Sequence, residues 1–164
     1  MEMKKVMAPY DDTVVSSAQL SQQNKYSPIE GLAKMAQQSK GCIRASYDYA
    51  VQGGAVGNIR LKDELGNDLE LPDDAVITRS YIDVKTAPTS GGAATIGVST
   101  GQGAGDVKAA AAIADYTGLV EGLQDGTMAA AIKLTAKRQP VIAVAVAALT
   151  AGKFDVFLEF VQGH

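Results

Sequence analysis

The side chains that could do chemistry in this chain are few, and their spacing is poor for it. The only histidine, His164, is the last of 164 residues, so a Ser-His-Asp or Cys-His relay would have to recruit a terminus, where chains fray first. The only cysteine, Cys42, has Lys40 and Arg44 as its nearby basic residues in sequence. It reads as a small buried hydrophobe rather than a nucleophile. One thiol also excludes an intrachain disulfide and any multi-cysteine metal site. The acidic pairs Asp11-Asp12, Asp63-Glu64 and Asp73-Asp74 lack the D-x-D-x-D-G spacing that wraps oxygens around calcium, and they read as solvated loop charges. A carboxylate pair for glycoside hydrolysis assembles only in the fold, and no sequence feature supports one.

The glycine-rich stretch Gly91–Gly105, GGAATIGVSTGQGAG, invites comparison with phosphate-binding loops. A P-loop needs Lys and then Ser or Thr directly after its last glycine, whereas Asp106 follows Gly105 and its charge would repel a phosphate. No G-x-G-x-x-G occurs, and the setting is strand-loop-strand rather than strand-loop-helix. These glycines are expected to serve turns and close backbone approach. With no Trp, three Phe and six Tyr, aromatic platforms for sugars are scarce too. The chain is expected to have no catalytic, cofactor or metal residues and not to be an enzyme.

The elements that would position anything begin after an arm. Residues 1–40 hold six Gln or Asn, few β-branched residues after Val15 and no sustained alternation. Within them, Ser27-Pro28-Ile29-Glu30 has the form of a capping box with proline at the first helical position. A short helix is expected to follow, and Gly41 is a plausible stop. Ile29, Leu32, Ala33 and Ala36 fall on one apolar stripe, and Ile29, Leu32 and Ala36 are the arm's candidate partner contacts. The division predicted is 1–40 arm and 41–164 β domain.

After Gly41 the hydrophobic period becomes two. Ile43, Ala45, Tyr47, Tyr49 and Val51 alternate with Arg44, Ser46 and Asp48. The segments VGNIRLK, VITRSYIDVKT, ATIGVS, IKLTA, VIAVAVAAL and KFDVFLEFV also have strand length and composition. Turns are predicted between them at Gln52-Gly53-Gly54, Gly66-Asn67-Asp68, Pro72-Asp73-Asp74, Pro88 to Gly92, Asp125-Gly126 and Ala151-Gly152. Asp106–Tyr116 is alanine-rich and helical by propensity, yet its β surroundings favour a strand. Seven or more short strands at this spacing predict an all-β fold, a β-sandwich or jelly roll. In the last strand Phe154 and Phe160 share one face and Phe157 takes the other, so Phe157 is either exposed or covered by a second interface.

Net charge is −3, and residues 41–164 carry ten basic and fourteen acidic groups, which argues against nucleic acid as a direct partner. The longest apolar run, Val141–Leu149, is too short to cross a bilayer as a helix. The first residues lack the apolar core of a secretory signal. Synthesis and retention in the cytoplasm, or release by lysis, is the simplest expectation.

Taken together, YDYAVQGGAVGNIRL, VITRSYIDVKTAPTSGGAATIGVSTG, AIKLTA and LTAGKFDVFLEFV resemble a group of small tailed-phage virion proteins: capsid decoration (cement) proteins and related head-fibre and minor structural proteins. The resemblance spans about residues 42–161. It implies a jelly-roll-like domain on the outside of an icosahedral head, made in the host cytoplasm, bound to the major capsid protein and self-associated as a homodimer or homotrimer. Such proteins clamp neighbouring capsomers, and the resemblance implies no catalytic residue and no cofactor. The arm and the KDELGNDLEL insert, Lys62–Leu71, depart from the shorter members of the group. A head- or tail-fibre module for host-surface attachment is the main alternative; a small carboxylate hydrolase and a free-standing bacterial β protein are the others.

Overall fold

A computed structural model describes residues 40–123 and 131–162. The strands in chain order are β1 (Gly41–Asp48), β2 (Gly57–Arg60), β3 (Ala75–Ser90), β4 (Thr95–Ser99), β5 (Lys108–Ala112), β6 (Leu119–Glu121), β7 (Ile132–Lys133), β8 (Val141–Ala145) and β9 (Leu149–Gln162). One short helix, α1 (Tyr49–Gln52), follows β1, and a 3₁₀ turn at Ile113–Asp115 follows β5.

Antiparallel pairing is nested. β1 pairs with β9, β2 with β8, β3 with β6 and β4 with β5, as in a long hairpin folded back on itself. Rolling that hairpin brings β9 beside β3 and β8 beside β4. Two sheets result, ordered β1-β9-β3-β6 and β2-β8-β4-β5, with β7 added at the start of β3. That order is a jelly roll, so the expected all-β fold is the one found.

Inward residues of both sheets share one core. Tyr47, Ile77, Ile82, Phe154, Val156 and Leu158 come from the first sheet, and Ile96, Val98, Ile142 and Val144 from the second. Phe154 lies at the aromatic centre, with ring centroids 5.0 Å from Tyr47 and 5.9 Å from Tyr116. Both tyrosine hydroxyls are satisfied: Tyr47 donates to the Gly53 carbonyl at 2.8 Å and Tyr116 to that of Ile96 at 2.9 Å. Burying these rings therefore leaves no orphan donor.

Four sequence expectations need correction. Tyr49 and Val51 do not continue β1, because the Asp48 carboxylate caps a helical turn by accepting from the Ala50 amide at 3.0 Å. Pro88-Thr89-Ser90 and Ala151-Gly152 are not turns; they lie within β3 and β9, which are 16 and 14 residues long. Residues suited to turns are equally suited to bulges: Gly152 has φ +144°, Pro88 has no amide to lose, and the pairing register shifts around them. Conversely, VIAVAVAAL is two strands and a turn, since the Ala147 amide reaches the Ala145 carbonyl at 2.9 Å around Val146 at φ 70°. In Asp106–Tyr116 the strand that its β surroundings favoured is present at residues 108–112, and the 3₁₀ turn at 113–115 follows it.

Candidate interaction surfaces

Alternation that sends Ala45, Tyr47, Val156 and Leu158 inward leaves their neighbours on the outer face of the β1-β9-β3-β6 sheet. Pairing registers arrange these in levels across the strands. One level reads Arg44, Phe157, Tyr81, Glu121; a second reads Cys42, Glu159, Arg79; a third reads Ser46, Asp155, Asp83, Leu119. At the centre Tyr81 and Phe157 stack, with centroids 4.7 Å apart and planes 13° from parallel. Phe157 is therefore half-buried against a neighbouring ring rather than wholly exposed.

Charges surround this aromatic pair. Arg44 pairs with Glu64 at 3.1 Å, Lys153 with Asp48 at 2.8 Å, and Lys85 with Asp83. The Ser46 hydroxyl donates to Asp155 at 2.6 Å. The Lys153 contact and the Ala50 amide hold the Asp48 carboxyl below its ordinary range. Leu119, 71% exposed, stands at the β6 edge. A hollow runs along this edge between Arg79, Tyr81, Leu119, Glu121, Leu123 and Glu159. Cys42 lies on the same face and is exposed, which corrects its reading as a buried hydrophobe. The phase of β1 decides this, because Ala45 and Tyr47 take the inward positions. Partial desolvation, and secondarily the Glu159 charge, push its thiol up, away from the thiolate.

A second concave surface, about 570 Å³, opens between Asn58, Arg60, Glu70, Gly101, Lys137, Arg138, Gln139 and Val141. It is polar, but its cations are partly answered. Arg60 pairs with Asp68 at 3.1 Å, and Glu70 lies in the lining. Arg138 contacts the Thr135 hydroxyl at 3.5 Å, and its Nε has no hydrogen-bond partner among the described residues.

The acidic pairs serve local structure. Asp63 accepts from the Leu65 and Asn67 amides, both at 2.8 Å, which closes its own loop. Asp73 accepts from the Asp74 amide at 2.8 Å, and Asp74 faces Lys133 at 3.5 Å. Among the described residues no three His, Cys, Asp or Glu side chains converge. In the glycine-rich stretch Asp106 has a role that its charge alone did not suggest. It accepts from the Thr100 amide at 2.8 Å, the Thr100 hydroxyl at 2.6 Å and the Gly103 amide at 3.0 Å, locking the loop. Ile29, Leu32, Ala36, Asp11-Asp12 and His164 lie outside the described residues.

No protein-family model matches the chain, and no curated protein matches it. Among solved structures it is similar to a chain in the acid-stable capsid of Helicobacter pylori bacteriophage KHP30. The TM-score is 0.50 at 12% identity, over 75% of this chain and 87% of that one. It is also similar to a chain in the capsid of Ralstonia phage GP4, with a TM-score of 0.49 at 21% identity, over 77% and 86%. At these identities the KHP30 likeness establishes a shared fold: an all-β architecture that also occurs in a phage capsid chain.

Proposed function

We propose that this chain is a phage virion structural protein that decorates the outside of the capsid, binding the major capsid protein and neighbouring copies. The observation that carries the reading is the nested jelly roll, whose fold is shared with a chain of the KHP30 capsid. The sequence resemblance to decoration proteins points the same way. Mechanically, the role asks for broad faces held by a stiff core. A 16-residue strand paired along a 14-residue one makes such a plate, and repetition over a lattice multiplies weak contacts.

In this reading residues 1–40 form an arm that reaches a neighbouring subunit, with Ile29, Leu32 and Ala36 as its apolar contacts. The test is add-back of the purified full-length chain to heads that lack it, with occupancy read by cryo-electron microscopy and resistance to heat as the second readout. Saturable binding on the outer surface, with a raised disruption temperature, is expected. Binding no better than an unrelated acidic protein would refute the role. Replacing Ile29, Leu32 and Ala36 by Asp is expected to lower occupancy severalfold; unchanged occupancy removes the arm from the account.

A further inference from the structure

We infer that the outer face of the β1-β9-β3-β6 sheet docks a second copy of this chain, face to face, about a two-fold axis running along the strands between β9 and β3. Such an axis keeps each level at its height and exchanges left for right. In the central level Arg44 then meets Glu121 of the second copy, and Phe157 meets Tyr81. In the next level Glu159 meets Arg79 of the second copy. Beyond it, Val161 and Val76, paired in register and both half-buried, meet each other. One operation thus sets opposite charges or apolar groups against each other along the β9–β3 centre of three successive levels, each in both directions; Lys133, beside Val76 on β7, keeps Asp74 as its partner.

One level opposes like charges, Asp155 and Asp83. Each is already answered within its own chain, Asp155 by the Ser46 hydroxyl and Asp83 by Lys85. At that level the exposed Leu119 gains cover opposite Ser46 of the second copy. Arg44 would leave Glu64, an exposed partner whose loss costs little. The thirteen positions that make up these levels, each about 33 Å² of sheet, cover roughly 400 Å² per copy. Both copies together bury an area in the range of weak, transient contacts, and area alone does not set the affinity.

Sedimentation equilibrium of the full-length chain across the micromolar range tests this without any capsid, so its outcome is separate from that of the decoration role. A monomer–dimer equilibrium is expected. Arg44→Glu and Glu121→Arg should each weaken it about tenfold, and the double reversal should recover most of the loss. Within one chain these positions lie three strand spacings apart, about 14 Å, so recovery would come from contact between copies. In a Cys42→Ser background, Arg44→Cys with Glu121→Cys should give a disulfide-linked dimer on oxidation, since that span is too long to close within one chain. A chain that stays monomeric, a trimer, or a dimer indifferent to both reversals would overturn the inference.

Discussion

The Asp106 carboxylate offers the sharpest test of how the glycine-rich loop is held. Three donors converge on it, the Thr100 amide, the Thr100 hydroxyl and the Gly103 amide. The loop in turn holds the segment after β7, because Gln102 accepts from the Thr135 amide at 2.9 Å and donates to the Lys133 carbonyl at 3.0 Å. Bonds to a charged acceptor are worth more than neutral ones, but Asp106 is only half-buried. About 1 kcal/mol each is a fair discount, so Asp106→Ala should cost about 3 kcal/mol. For a domain of this size that lowers Tm by about 10 °C. Asp106→Asn keeps the oxygen facing the Thr100 amide but aims an NH₂ group toward the Gly103 amide, so about half the loss is expected. Urea unfolding measures the free energies, with Asp115→Ala as an exposed control expected to be neutral. Amide exchange gives a second readout, and the Thr100, Gly103 and Thr135 amides should lose protection in the alanine variant. A loss below about 1 kcal/mol with protection unchanged would refute the reasoning.

Phe154→Ala empties the space between Tyr47 and Tyr116 and should cost about 3–5 kcal/mol by urea unfolding; a loss under half of that would mean the two rings collapse into the gap. Val146 is 74% exposed at φ 70°, so Val146→Gly relieves about 1–2 kcal/mol of left-handed strain and gives back about 0.5–1 in chain entropy. A small rise in Tm is expected, and a fall would show that the turn depends on the valine side chain. Burial first, then the charges of Tyr49 and Asp48, pushes the Tyr47 phenol from its ordinary 10 to about 12, and burial with Asp115 raises Tyr116 as well. The folded chain keeps these protons after the unfolded chain has released them. Their contribution is therefore complete below pH 10 and declines as pH rises through 12. Absorbance at the tyrosinate band should show Tyr47 and Tyr116 ionising only as near-ultraviolet dichroism is lost; ionisation of both near pH 10 in an intact fold would contradict this.

By itself the sequence determined the class of the fold. Alternation in residues 43–47 and 154–160 set which face of those strands is apolar, and apolar faces must meet across a sandwich. It also determined what chemistry is scarce, since a lone terminal histidine and a single cysteine cannot be multiplied by folding. Punctuation was less legible. Pro88, Ala151 and Gly152 suit a turn and a bulge equally well, and only the long β3–β9 pairing chooses the bulge. Val146 carries no turn signal at all, because its positive φ is imposed by the two strands it joins. The candidate surface belongs wholly to tertiary structure. Arg44, Tyr81, Glu121 and Phe157 lie up to 113 residues apart in sequence, and only the nested pairing of β1, β9, β3 and β6 brings them to one level. Strand period tells which way a side chain faces, whereas register between distant strands, set by the packing of the whole sandwich, tells what stands beside it.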